Sequence, residues 1–163
     1  SYSFRHFAEK GSVMPSFECR REQLQKMTQR FGTCGEVLYY GYPRSMTMRH
    51  CPMSLVKGCG DDRDCPSCNL RRGFYLRDEK NVAFPFRRVG DMTEIYNSLP
   101  IYLGDKAGQL MALKPTALKI RSRLGEDITD IIKEARRVID GEKIKEPLVK
   151  EFTRGHWMRG ILG

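Results

Sequence analysis

Residues 117–141 read Ala-Leu-Lys-Ile-Arg-Ser-Arg-Leu-Gly-Glu-Asp-Ile-Thr-Asp-Ile-Ile-Lys-Glu-Ala-Arg-Arg-Val-Ile-Asp-Gly, and this stretch decides the fold class. Over 117–124, Leu118 and Ile120 alternate with Lys119 and Arg121, the period of a strand with one wet face or one wet end. Ile128, Ile131, Ile132, Ala135, Val138 and Ile139 then recur at helical spacing. Glu126 and Asp127 fall in the first turn and Gly141 at the end, so a helix follows the strand. Upstream, Arg20 to Phe31 sets Leu24, Met27 and Phe31 on one helical face, with Gly32 where a left-handed cap is expected. Glu36 to Tyr40 is a short apolar run closed by Gly41 and Pro43, which reads as a buried strand. Phe74 to Arg77 and Val82 to Phe86 form a hairpin around Asp78 to Asn81, with Asn81 able to take positive φ. The segment between strand and hairpin carries Gly58, Gly60, Asp61, Asp62 and Pro66, so it reads as a loop. Helices and strands interleave, and the order gives an α/β architecture with a β-rich insert.

Composition sets the bounds. The chain has 163 residues, 40% hydrophobic and 30% charged, which suits one globular domain over 1–163 and excludes a disordered tail. Apolar runs such as Val37 to Tyr40 last only a few residues, against the roughly 20 of a membrane helix, so no membrane partner is expected. The first fifteen residues mix Arg5, His6, Glu9 and Lys10 with no apolar run, unlike a secretory signal, and a cytoplasmic location is expected. The net charge is +9. Residues 44–88 hold ten Lys and Arg against five Asp and Glu, and residues 114–163 hold twelve against eight. These two segments favour a polyanionic partner, RNA among them, over a plain solvated basic surface only if they share one face.

Four of the six cysteines, Cys51, Cys59, Cys65 and Cys68, fall within the 18 residues from 51 to 68. Four thiolates in one Gly-rich loop suit a tetrahedral zinc site or an iron–sulfur cluster. Cys65-Pro-Ser-Cys68 supplies the tight pair. Disulfides suit a reducing compartment poorly, and buried free thiols seldom sit among residues such as Asp61, Asp62, Arg63 and Asp64. His50 is a neighbour able to replace one thiolate, while Cys19 and Cys34, at helix and strand ends, read as structural.

An ordered series of motifs is similar to the C-terminal half of the U thirty-two peptidase family. It comprises Glu36-Val-Leu-Tyr-Tyr-Gly41 and Arg49-His50-Cys51-Pro52 within Met46 to Met53. Tyr75-Leu-Arg-Asp78, Phe84-Pro85, Glu94-Ile-Tyr-Asn-Ser98, Leu103-Gly-Asp-Lys106 and Thr153-Arg154-Gly155-His156 complete it. The resemblance implies a partial (β/α) barrel-type unit, the C-terminal portion of a longer architecture, with residues 44–88 as an inserted metal-binding loop and hairpin. A full barrel takes roughly 250 residues, so either a preceding portion or a second copy is expected to complete the sheet. The family is named for collagenase-like peptidase activity, but no nucleophile, base and orienter stand out here. Relatives hydroxylate bases of transfer or ribosomal RNA, or act in quinone hydroxylation, and hold a four-iron four-sulfur cluster through four cysteines. In those relatives one ligand follows the Phe-Pro strand, where this chain has Asp91-Met92-Thr93-Glu94. That departure favours zinc slightly over the cluster. Glu79 and Asn81 depart too, standing where the family has a basic residue and a glycine.

Three readings follow: the metal-bearing portion of an RNA-modifying enzyme, a peptidase portion, and a non-catalytic zinc-stapled interaction module. Arg154, His156 and Arg159 with Trp157 have the side chains to clamp a phosphate and stack a base, and docking of the C-terminal segment on the core accounts for them equally. Glu94, Asn97 and Asp105 face a pocket or cap turns.

Overall fold

A buried strand, Glu36–Gly41 (β1), organises one half of the computed structural model, which describes residues 2–9, 11–58, 74–123 and 125–158. Val37, Leu38, Tyr39 and Tyr40 are all buried, as a strand covered on both faces requires. Before it come α1 (Tyr2–Ala8) and α2 (Arg21–Phe31). Gly32 ends α2 at φ +78°, and its N–H reaches the Thr28 carbonyl at 2.8 Å, as the sequence predicts. After Gly41 come β2 (Arg44–Met48), α3 (Pro52–Lys57), β3 (Phe74–Arg77), β4 (Ala83–Val89) and β5 (Met92–Tyr96). The chain ends with β6 (Ile101–Tyr102), a 3₁₀ turn (Gly104–Lys106), α4 (Ala107–Met111), β7 (Ala117–Arg121) and α5 (Thr129–Ile139). The fold is mixed α/β with two sheets, and among the described residues neither sheet closes into a barrel.

The chain divides into two compact units, residues 1–41 with 99–163, and residues 42–98. In the first, β1 lies between β6, antiparallel, and β7, parallel, with Glu36 opposite Ala117 and Gly41 opposite Arg121. Gly41 (φ +146°) is required there, because a Cβ would stand 2.6 Å from the Arg121 carbonyl oxygen. Leu24 of α2, Leu110 of α4, Ile131, Ala135 and Val138 of α5, and Trp157 share one buried cluster with β1. The C-terminal segment joins by a parallel bridge between Thr153 and Ile101.

The second unit is a four-stranded antiparallel sheet in the order β2-β5-β4-β3. Its hairpin turn holds Asn81 at φ +62°, and Asp78 Oδ1 accepts the N–H groups of Lys80 (2.9 Å) and Val82 (2.8 Å). Phe74 stacks on Phe86, and Phe86, Thr93 and Ile95 are buried on one face. Two elements correct the expectation of a structureless segment after Pro43. β2 is an edge strand whose exposed Arg-Ser-Met-Thr leaves no apolar alternation to read, and α3 starts at Pro52 and stops at left-handed Gly58. Among the described residues, no helix is long and apolar enough to cross a membrane.

Candidate functional site

Of the four clustered cysteines, Cys51 is described and Cys59, Cys65 and Cys68 lie outside the described residues. Cys51 precedes α3 as a partly exposed free thiol, in an extended backbone conformation. Its carbonyl accepts the Ser54 N–H (3.0 Å) and the Ser54 hydroxyl (2.8 Å), so the first turn of α3 fixes its backbone. His50 Nε2 lies 3.5 Å from the same hydroxyl. Among the described residues, no three His, Cys, Asp or Glu side chains converge as metal ligands would. Cys19 and Cys34 belong to the other unit. Burial pushes both thiols up, in Cys19 with help from the Glu18 charge, which keeps them protonated and poor ligands.

Arg159 is outside the described residues. Of the other three C-terminal candidates, Arg154 and Trp157 are held by contacts within their own unit. Arg154 donates through Nε (2.8 Å) and Nη2 (2.5 Å) to Asp105 Oδ2 and lies over the Phe152 ring. Trp157 is only 4% exposed and packs in the core, where its indole N–H meets no acceptor among the described residues. His156 is half-buried beside it in sequence. Trp157 thus anchors the described part of this segment in the core of its unit.

A second cluster sits on the sheet of residues 42–98. Glu94 of β5 faces away from the buried Thr93 and Ile95, opposite Arg87 of β4 and Thr47 of β2. Its Oε1 accepts Arg44 Nη1 (2.7 Å), and its Oε2 accepts Arg87 Nη2 (3.2 Å) and Nε (3.3 Å) and the Tyr96 hydroxyl. The Tyr96 hydroxyl bond and then the two guanidinium groups pull the Glu94 carboxyl down to about 2. Arg87 lies over the Tyr96 ring, 5.2 Å from its centroid. Sequence reading marked Glu94 as a polar group of open role. Thr93-Glu94-Ile95-Tyr96 runs polar, polar, apolar, apolar, so no alternation in the sequence sets Glu94 on the wet face; the pairing of β5 does.

A third constellation lies inside the first unit. Tyr39 (2.5 Å) and Tyr102 (2.7 Å) both donate to Glu134 Oε1, and all three side chains are fully buried. Desolvation first, and then these bonds, push both tyrosines above their ordinary value. Glu134 Oε2 has no partner among the described residues. Its sequence signal was a glutamate three residues after Ile131 and four before Val138, within the apolar stripe of α5.

No family model, curated protein or solved structure matches the chain.

Proposed function

We propose that the chain is the metal-bearing C-terminal portion of a protein of the U thirty-two peptidase type, whose parent activity is hydroxylation or related modification of RNA bases. Cys51, Cys59, Cys65 and Cys68 hold one metal centre, zinc or a four-iron four-sulfur cluster. The observation that carries this reading is the extent of the second unit. It runs from 42 to 98, fifty-seven residues, and all four cysteines fall within it by sequence. A unit that small, built on one four-stranded sheet, has a marginal core, which a metal staple would support. Cys51 fits the donor set as a free, accessible thiol with its backbone fixed by Ser54. The parallel β1–β7 pair with α5 after it supports the reading of the other unit as part of a (β/α) barrel. When bound, zinc would staple the loop, whereas a cluster would also supply redox chemistry.

The same observation favours a second reading, in which the zinc-stapled unit is an interaction module without catalysis of its own. Elemental analysis of anaerobically purified protein decides the metal. One zinc and no colour supports the stapled module. Iron with acid-labile sulfide and a broad visible band supports the oxygen-transfer enzyme. Neither metal above trace in reduced, unchelated protein removes both. Activity is then tested on transfer and ribosomal RNA by mass spectrometry of the nucleosides, with a gelatin digest as the peptidase control.

A further inference from the structure

The exposed face of the second sheet carries a row of flat side chains. Tyr75 of β3 stands opposite Pro85 of β4, and Tyr96 of β5 stands opposite Arg44 of β2. Phe86 pairs with Ile95, so one step along the same register Pro85 comes opposite Tyr96. The row across all four strands is therefore Tyr75, Pro85, Tyr96, Arg44. At the usual strand spacing the two tyrosines are about 10 Å apart, with the proline ring between them. Arg87 adds a fifth flat surface, its guanidinium lying over Tyr96.

Tyr75 is 57% exposed, a large aromatic with most of its ring in solvent. Arg44, Arg77 and Arg87 are exposed on or beside the row, and Glu94 is the acid among them. Three cations against one anion leave this face positive. Glu94 also has a positioning role, since it holds Arg44 and Arg87 in fixed orientations at no more than 3.3 Å. A planar, pre-set guanidinium both stacks and binds phosphate.

We propose that this face is a stacking platform for single-stranded RNA, with bases on Tyr75 and on the Arg87–Tyr96 pair, and phosphates on Arg44, Arg77 and Arg87. The choice of RNA rests on the function proposed above. The choice of a single strand rests on the row itself, because unstacked bases have free faces for aromatic rings and a duplex does not. An acidic peptide would engage the arginines and leave Tyr75 unused.

The test is fluorescence anisotropy of the full chain with a labelled octauridylate, with unlabelled duplex RNA and heparin as competitors. Three engaged phosphates, at a slope of about −0.7 each for a single strand, should weaken binding roughly twentyfold between about 50 and 200 mM salt. Tyr75→Leu should weaken binding about tenfold and Tyr75→Phe should retain it, a pattern that charge alone does not give. Arg87→Ala should weaken binding by a similar factor and flatten the salt dependence. Tyr75 is exposed, so circular dichroism should show both of its variants folded. Wild-type-like binding by Tyr75→Leu, or heparin and duplex competing as well as octauridylate, overturns the platform. So does a failure of wild-type protein to bind at low salt. Metal content of the same samples separates the two claims: loss of binding in metal-loaded protein overturns the platform alone, and binding by metal-free protein overturns the metal centre alone.

Discussion

Glu134 and Glu94 both accept tyrosine hydroxyls and the tyrosines at both are pushed up, yet the two carboxylates sit in different company. Glu134 is fully buried beside Tyr39 and Tyr102 with no cation among its described partners, and the tyrosines are pushed up. Glu94 lies near solvent with Tyr96, Arg44 and Arg87, and the carboxyl itself is pulled down. Where water is excluded, desolvation dominates and a hydroxyl holds its proton. At Glu94 the Tyr96 hydroxyl bond first, and then the guanidinium groups, outweigh desolvation and the carboxylate stays ionised. The lesson extends to the two units. The first is built on an apolar cluster with a polar inclusion, and the second on a thin sheet with a charged face, the sheet that the proposed metal centre would staple.

The sharpest way to break this comparison is to remove the proposed metal staple. Chelation, or Cys68→Ser, should unfold residues 42–98 while leaving the other unit folded. A structural zinc site contributes on the order of 10 kcal/mol in isolated zinc-finger peptides, far more than one small sheet retains. Hydrogen exchange should show β4 and β5 losing protection and β1 and β7 keeping it. Equal protection before and after chelation would mean that the sheet stands by itself. The reciprocal cut is Leu110→Ala. Leu110 is 0% exposed in the first unit, so its truncation should cost about 2–5 kcal/mol there and leave β4 and β5 protected. A melt in which both units shift together would show that they are one cooperative body.

What the sequence made legible follows the same divide. The α2 and α5 helices, β1, β7 and the hairpin turn at Asn81 announce themselves by apolar period and glycine or asparagine punctuation. β2 and β6 did not. β2 is exposed over its first four residues and β6 has two residues, so neither carries enough alternation. β5 also escaped notice, because Met92-Thr93-Glu94 at its start is mixed in polarity and only the fold shows Thr93 to be buried. The thiol cluster was legible from spacing alone, with Cys51 the one member the structure describes. The Glu94 and Glu134 constellations join residues up to 95 positions apart, and no local pattern reports such a meeting.

A smaller cut falls on the buried pair. Tyr102→Phe deletes one of the two donors to Glu134 and also the acceptor of the Leu148 N–H (3.2 Å). Leaving buried polar groups unmet costs about 1–3 kcal/mol. The sign with pH is set by the raised tyrosines. A hydroxyl whose folded value lies above its ordinary one contributes stability in full below about pH 10, and loses it as pH rises towards the folded value. Tyr102→Phe should therefore lower the first unit's melting temperature at neutral pH and shallow its alkaline decline. An unchanged alkaline limb would assign that decline to other groups.

The smallest effect belongs to Glu94. Its carboxyl ordinarily titrates near 4.5 and in the fold is held down to about 2, so its contribution is complete above 4.5 and disappears as pH falls through about 2. Arg44 and Arg87 are largely exposed, so solvent screening limits the network to roughly 1 kcal/mol or less. Glu94→Gln keeps the size of the side chain and removes the charge. It should lower the stability of residues 42–98 slightly at pH 7 and make it flatter between pH 4.5 and 2, with the two proteins converging at the acid end. Amide exchange of Thr93 and Ile95 across that window reads the effect where it arises, because both pair into the ladder beside Glu94. Parallel acid limbs would mean that Glu94 holds the arginines in place without stabilising the sheet. The same titration in 1 M salt, where the screening length is about 3 Å, should shrink the difference between the two proteins, since it is carried by charges that water reaches.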